Sequence, residues 1–527
     1  MRHRLRNMIS IVLLLLVPIF LISCSGDSKS SSMLSPSAVK APTQPPTDLT
    51  AKGSDGKVTL MWTPPPPVNA ESYPTSYNLY WSLTAGVTKS SNRVLNVSMP
   101  FVHLDLTNGT AYYYKVAAAN PAGEGPLSAE VWATPLLPFT KILTKLMDPD
   151  AEQWDEFGWS VAIDGDYAVV GAWRSGLDAG AAYVFHRTNG VWDPAGTRLT
   201  ASDAQVDDHF GCAVAISGDY IIVGAMDEDG GTGDPLVDAG AVYIFHRTGA
   251  NTWDAGTKLI GLDAAPAGRF GSAVAISGDI AVVGEEGMDR AYVLRRTGTN
   301  AWDNSGTQLW APDTEAGDHY GCAIGVSGDY AIVGAYGEDG GPSNPRWNAG
   351  AAYIFHRTGV DAWYEYSKVM PHDSAEADQF GSSVAISGDY AAVGAYTKDN
   401  ETGAAYVFHR QEVNYWDEGP KIVAPDAQEG DNFGTSVAIT DKYLLIGAAL
   451  EDCGWDENNG EGSAYLFERI GANTWDGGTK ITIPAGDIGD NFGYAVALSG
   501  ESAIIGAIGD DCNEVGEVSA AGAVYMY

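Results

Sequence analysis

Residues 210–247 read FGCAVAISGDYIIVGAMDEDGGTGDPLVDAGAVYIFHR, and the unit recurs with edits from Phe157, Phe270, Tyr320, Phe380, Phe433 and Phe492. Successive starts are 53, 60, 50, 60, 53 and 59 residues apart, a period that holds four short strands and their turns. In the opening strand, A, the residues Phe210, Cys212, Val214 and Ile216 alternate with Gly211, Ala213 and Ala215. One face is then bulky and the other almost bare. Phe433, Thr435, Val437 and Ile439 against Gly434, Ser436 and Ala438 repeat the pattern. Such strands suit sheets stacked bulky face into small face.

Ser217-Gly218-Asp219 turns the chain into strand B, Tyr220 to Ala225. Strand C follows a variable loop from Ala241 to Arg247, and a short strand D runs from Thr257 to Ile260. Four antiparallel strands, seven times over, predict an all-β chain whose residues 137–527 form a seven-bladed β-propeller. The termini agree. The last repeat stops at Tyr525-Met526-Tyr527, in strand C, while Lys141 to Leu146 stands before the first Phe-Gly with no A, B or C of its own. Pairing the two orphans completes the seventh blade and removes two exposed edges.

Phe-Gly at the start of each unit, with Val-Gly-Ala about 13 residues later, resembles the FG-GAP repeats of the integrin α-subunit propeller and its bacterial relatives. The resemblance implies the propeller fold and little about activity, which belongs to sites grafted on folds. Integrin-type repeats often carry an Asp-x-Asp-x-Asp-Gly calcium loop at the A–B turn, whereas this chain has Ser-Gly-Asp or close variants. One carboxylate does not supply the roughly six to eight oxygens that Ca2+ takes.

Ahead of the array, residues 46–136 alternate as strands bounded by Gly, Pro and Asn turns: Lys57 to Trp62, Ser76 to Trp81 and Ala111 to Ala117. Leu106-Thr-Asn-Gly-Thr-Ala-Tyr112, continuing through Asn120-Pro-Ala-Gly-Glu-Gly125, resembles a fibronectin type III β-sandwich. The resemblance makes Trp62 the buried strand-B tryptophan and Tyr112 the corner tyrosine. No Arg-Gly-Asp tripeptide is present in this segment, so a spacer role is expected.

The N-terminus places Arg2, Arg4 and Arg6 before an apolar run from Met8 to Ile22, the layout of a secretory signal over residues 1–23. Leu21-Ile22-Ser23-Cys24 resembles a bacterial lipobox, which implies diacylation of Cys24 as the lipid attachment site. Acyl chains contribute about 0.8 kcal/mol per buried CH2, so several on one residue hold a protein to a membrane. Ser25 after the cysteine leans, by the same resemblance, towards the outer membrane or cell surface, and residues 24–45 have the Ser-, Pro- and Thr-rich composition of a flexible tether.

Of the formal net charge of −37, the propeller region carries nearly all: residues 137–527 hold 20 basic and 60 acidic side chains. Such a surface repels phosphate backbones, which excludes nucleic acid as the expected partner. In an antiparallel blade the B–C and D–A loops share one end of the ring, and both are acidic here. Asp203, Asp207 and Asp208 precede the second A strand, and Asp227, Glu228 and Asp229 follow its B strand. Counterparts are Glu338 and Asp339, Glu451 and Asp452, and Asp510 and Asp511. Carboxylates on short loops are hard-cation ligands, so this rim is the candidate for a partner and for Ca2+; solvated acidic turns are the plainer alternative.

His186, His246, His356 and His409 recur in Tyr-(Val/Ile)-Phe-His-Arg, and recurrence at blade period marks a packing position. The Trp-Asp pairs at 192, 253, 302, 416 and 475 are expected to pin the C–D turn. Cys212 and Cys322 suit small buried thiols; Cys453 and Cys512, in equivalent loops of adjacent blades, could form a disulfide in an exported protein. No nucleophile elbow, phosphate loop, zinc motif or dinucleotide fingerprint is present. The expectation is a lipid-anchored cell-envelope protein that presents a propeller for recognition of, or adhesion to, a protein or glycan, with no enzymatic activity. A glycan-processing enzyme and an envelope scaffold without soluble ligand are the alternatives.

Overall fold

The computed structural model describes residues 39–54, 56–66, 72–104, 106–107, 110–135, 144–229, 236–339, 346–363, 365–451, 460–483, 486–511 and 520–527. Two compact units divide the chain, Met1–Leu136 and Leu137–Tyr527.

In the first unit Thr47–Ser54, Lys57–Thr63 and Phe101–His103 form one sheet. Asn92–Val97, Ser76–Ser82, Tyr112–Asn120 and Gly123–Leu127 form the other, with Val131–Ala133 also on Tyr112–Asn120. Alternation along Lys57–Thr63 sends Val58, Leu60 and Trp62 inward, where they pack with Leu79, Tyr114 and Val116. Trp62 is the buried tryptophan expected of strand B. The Tyr112 hydroxyl accepts the backbone N–H of Thr107 at 3.0 Å, the corner tie that the sequence implied.

The second unit is a ring of seven four-stranded sheets. In blade two, strand A (Phe210–Ser217) pairs with B (Tyr220–Ala225), B with C (Ala241–Gly249), and C with a D strand in two pieces, Thr252–Trp253 and Thr257–Ile260. Strand B lies between two neighbours in its own sheet and two adjacent sheets, which is why Tyr-Ile-Ile-Val-Gly-Ala is a continuous apolar run, buried throughout. The A strands touch in succession round the ring, and the last, Phe492–Ser499, meets the first, Ser160–Asp164. Blade seven takes its outer strand from the start of the unit: Thr144–Met147 pairs with Ala523–Met526, Leu146 opposite Val524. The predicted strand from Lys141 is thus found from Thr144, and residues 141–143 lie outside the described residues.

Val214 and Ile216 pack on Tyr167, Val169 and Val184 of blade one, while Ala213 and Ala215 receive Val274 and Ile276 of blade three. Bulky face meets small face, as expected. Cys212 departs from the expectation: its Sγ lies 3.5 Å from the Gly271 carbonyl of blade three, on the side opposite Val214. A bulge between Phe210 and Ala213 breaks the simple alternation there.

Both glycine signatures have a steric cause. Gly211 has φ of +94°, and a Cβ on Gly224 would run into the Gly271 carbonyl of the next blade. Phe210 stays buried, edge-on to Tyr243 and Phe245 of its own strand C. At the far end of the blades Tyr167 stacks on His186 with centroids 4.4 Å apart, and Arg247 of blade two covers the same ring at 4.4 Å. Its hydroxyl donates to the Ala250 carbonyl at 2.6 Å. Blades two, four and five repeat this staple on Tyr220, Tyr330 and Tyr390, which makes the recurring histidines packing residues. Asp254 of a Trp-Asp pair accepts the N–H groups of His246 and Gly256 at 3.0 and 3.1 Å and so pins the C–D turn.

Candidate functional site

Immediately before each Phe-Gly or Tyr-Gly pair the chain adopts a left-handed conformation. Glu156, His209, Arg269, His319, Gln379, Asn432 and Asn491 have φ between 51° and 57°. The conformation costs a non-glycine residue roughly 1 kcal/mol, yet none of the seven is glycine and all are polar. A turn fixes each of them: the N–H three residues on, from Trp159, Cys212, Ser272, Cys322, Ser382, Thr435 or Tyr494, donates back to its carbonyl. The residue leaving strand B ends at the same place, as Trp173, Met226, Glu286, Tyr336, Tyr396, Ala449 and Ile508. Three positions per blade therefore share a backbone while their side chains vary from blade to blade, and those of blades seven, one and two meet at one mouth of the ring.

Four rings stack across three blades at this mouth. Tyr494 lies 4.8 Å from Trp159, Trp159 lies 4.6 Å from Trp173, and Trp173 lies 4.5 Å from His209, centroid to centroid. Glu156 accepts the Trp173 indole N–H at 2.8 Å and an Arg174 N–H at 3.1 Å. Asp227 lies 2.7 Å from His209 Nδ1 and 3.2 Å from Arg269 Nε. On blade four His319 stacks on Tyr336 at 4.4 Å, its Nδ1 3.0 Å from Glu286. Burial holds the Tyr336 and Tyr494 hydroxyls well above the usual phenol range, and Tyr396 raises both further. Blades four, five and seven thus come within electrostatic reach of one another here.

Beside the stack, between blades seven and one, is a cleft of about 330 Å3 lined by Trp154, Glu156, Asp487, Ile488, Asn491 and Asp511 among others. The loop acids expected on the rim are mostly elsewhere. Glu228, Glu338, Glu451 and Asp510 are buried inside their blades. In blade two the Tyr243 hydroxyl donates to Asp203 at 2.7 Å and to Glu228 at 3.0 Å, and Lys258 Nζ donates to the same two carboxylates at 2.8 and 2.7 Å. Tyr353, Asp313, Glu338 and Lys368 repeat the set in blade four, and Tyr465, Asp426, Glu451 and Lys480 in blade six. Blade five puts Lys398 in the glutamate's place, 2.8 Å from Asp378.

Below each set an aspartate two residues before the Phe-Gly or Tyr-Gly pair accepts a backbone N–H of the D–A turn, as Asp208 does from Gln205 and Asp318 from Glu315. Burial pushes both carboxyls up to about 7. Asp229, Asp339 and Asp511 close the loop bases by accepting the N–H groups of Asp238, Asn348 and Ala520 at 3.0, 2.8 and 2.9 Å. Of the expected rim acids, Asp227 stands at the mouth and Asp511 lines the cleft. Asp452, Cys453, Cys512 and the lipidation residue Cys24 lie outside the described residues. Among the described residues no group of three or more His, Cys, Asp or Glu side chains is placed to hold a metal ion.

The sequence reading missed Trp159, Trp173, Tyr336, Tyr396 and Tyr494. Their signal was available as aromatic departures at two fixed offsets, two residues after the opening aromatic and directly after Val-Gly-Ala or its variants.

Seven FG-GAP repeats match the model of that family, over residues 143–185, 196–245, 253–299, 304–355, 363–408, 416–467 and 475–527. The chain belongs to the FG-GAP repeat family. A fibronectin type III domain matches residues 44–134, and no individual curated protein matches the chain. FG-GAP repeats joined to a fibronectin type III domain point to a propeller protein of the adhesion type, working outside the cell.

Proposed function

We propose that this FG-GAP protein is exported, lipid-anchored at Cys24 and dedicated to recognition or adhesion, binding a protein or glycan at the mouth formed by the D–A and B–C loops. The observation that carries the reading is the set of seven left-handed, non-glycine positions, from Glu156 to Asn491, which keep one backbone and vary the side chain. A scaffold gains nothing from holding polar residues in a conformation that favours glycine, whereas a binding surface gains seven independently adjustable groups. The aromatic stack from Tyr494 to His209 adds a rigid, half-buried surface of the kind that dominates recognition energetics.

The lipobox resemblance at Leu21 to Cys24 and the Ser- and Pro-rich stretch after it support the anchoring. Metabolic labelling with a palmitate analogue tests it: labelling of the wild type and none of Cys24→Ala is expected. Labelling of both would refute the anchor. For recognition, arrays of envelope proteins and polysaccharides are probed with wild type and with Trp173→Ala. Binding that the substitution weakens, without turnover of the bound glycan, is the expected result. New reducing or unsaturated ends would make the protein a glycan-processing enzyme instead.

A further inference from the structure

The cleft between blades seven and one departs from the other blades in a way that specifies a ligand chemistry. In blades two, four and six the carboxylate seven residues before the Phe-Gly or Tyr-Gly pair (Asp203, Asp313 or Asp426) shares one lysine with a buried glutamate. Blade seven has alanine at that position, residue 485, and the shorter Asp510 in place of glutamate. Asp510 alone takes up Lys145 and the Tyr525 hydroxyl, at 2.6 and 2.5 Å. Asp490 stands outside this set, as Asp208 and Asp318 do in blades two and four, but in blade seven it lines the cleft. Its Oδ2 accepts the Asp487 N–H at 2.8 Å, and its other oxygen has no hydrogen-bond donor among the described residues, although the residue is only 6% exposed. A buried carboxylate with a vacant acceptor, lining a cleft, is a group waiting for a donor.

The rest of the lining has the same sense. Asp487 and Asp511 add carboxylates, Glu156 is already held by the Trp173 indole and Arg174, the Asn491 amide donates to the Gly489 carbonyl at 3.0 Å, and among the described residues no lysine or arginine lines the cleft. A surface of acceptors matches a group that only donates, an ammonium or guanidinium. Trp154, 53% exposed on left-handed backbone, offers a ring face to such a cation, and Ile488 beside it an apolar wall for the stem that carries it. A sugar hydroxyl can also donate to these carboxylates, but only a cation neutralises their charge as well, and an acidic glycan would be repelled.

We infer that this cleft captures a lysine or arginine side chain of a basic protein segment, an inference that rests on the recognition reading above and gives it a partner class. The test titrates the purified full chain with a capped lysine–glycine repeat peptide, its acetyl-lysine counterpart and, separately, maltoheptaose. Binding of the lysine peptide alone is expected, weakening as salt is added. Asp487→Asn and Trp154→Ala, both at exposed side chains, should each weaken it about three- to tenfold without changing the melting temperature. Asp329→Asn, in an A–B turn at the other end of the ring, should change it less than twofold.

Equal weakening by Asp329→Asn would reduce the effect to diffuse charge and overturn the inference, as would absence of binding by the lysine peptide. If maltoheptaose binds instead and Trp154→Ala abolishes it, the cationic ligand is wrong and the recognition reading stands.

Discussion

Blades two and seven are built on the same backbone and end differently. In blade two Lys258 is enclosed by Asp203 and Glu228, with Tyr243 bridging the two carboxylates, and nothing in the set is left over. Blade seven, assembled from both ends of the unit, keeps the tyrosine and the lysine, loses one carboxylate to alanine at 485, and has a cleft beside Asp490. The contrast teaches that acidity here has two uses. Where the partner set is complete the carboxylates hold the loop bases to the blade; where it is incomplete they face a space that a ligand can enter.

The sharpest way to break the comparison is to remove the lysines. Lys258→Met leaves Glu228 and Asp203 without a counter-ion, and a buried pair broken on one side costs about 3–5 kcal/mol. Lys145→Met should cost less, about 1–2 kcal/mol, because the Lys145 side chain is 35% exposed and buried Asp510 keeps the Tyr525 hydroxyl as a donor. Urea unfolding monitored by tryptophan fluorescence compares them; equal losses would erase the distinction between the blades. Leu146→Ala tests the closure itself. Leu146 is buried between blades seven and one beside Val170, Ile504 and Val524, so about 3 kcal/mol should be lost in the same assay.

Titration sharpens the comparison further. Burial raises Asp208 and Asp318 to about 7 and Asp490 and Asp155 to about 6. A carboxyl raised in the folded state binds its proton more tightly there than in the unfolded chain. Its contribution is complete below the ordinary carboxylate range and is lost as pH rises through 6 to 7. The protein should therefore melt higher at pH 5 than at pH 8. Asp208→Asn should flatten that slope by roughly 1–2 kcal/mol, and Asp490→Asn by less. A slope of opposite sign, or one that neither substitution changes, would refute the assignment. The smallest effect concerns the loop bases: Asp229→Ala loses the acceptor for the Asp238 N–H and should lower stability by about 1 kcal/mol, with faster hydrogen exchange at that amide.

The ring was legible because its signatures are steric. Gly211 and Gly224 mark a positive φ and a close inter-blade contact, constraints written in single residues, and the orphan strands at the two ends of the unit declare how the ring closes. The exposure of a carboxylate is not written that way. Glu228 lies 15 residues from Tyr243 and 30 from Lys258, and only the folded blade shows that the three meet. Cys212 lies on the face opposite the one that simple alternation predicts, because a bulge is invisible to a count of alternating positions. The mouth was harder still. Tyr494 and Trp159 stand 335 residues apart in the chain and touch only once the ring has closed, so each alone is an unremarked aromatic at a variable position.

The central claim is that recurrent loop acids build the blades while residues peculiar to blades seven and one bind the ligand. Two double variants of the full chain test it together: Trp154→Ala with Asp487→Asn, and Asp229→Ala with Asp339→Ala, each followed for melting temperature and lysine-peptide affinity. The account predicts that the first pair keeps its melting temperature and loses at least tenfold in affinity, whereas the second melts several degrees lower and binds as the wild type does. The opposite pattern, with binding lost at the loop bases and retained at the cleft, would contradict it.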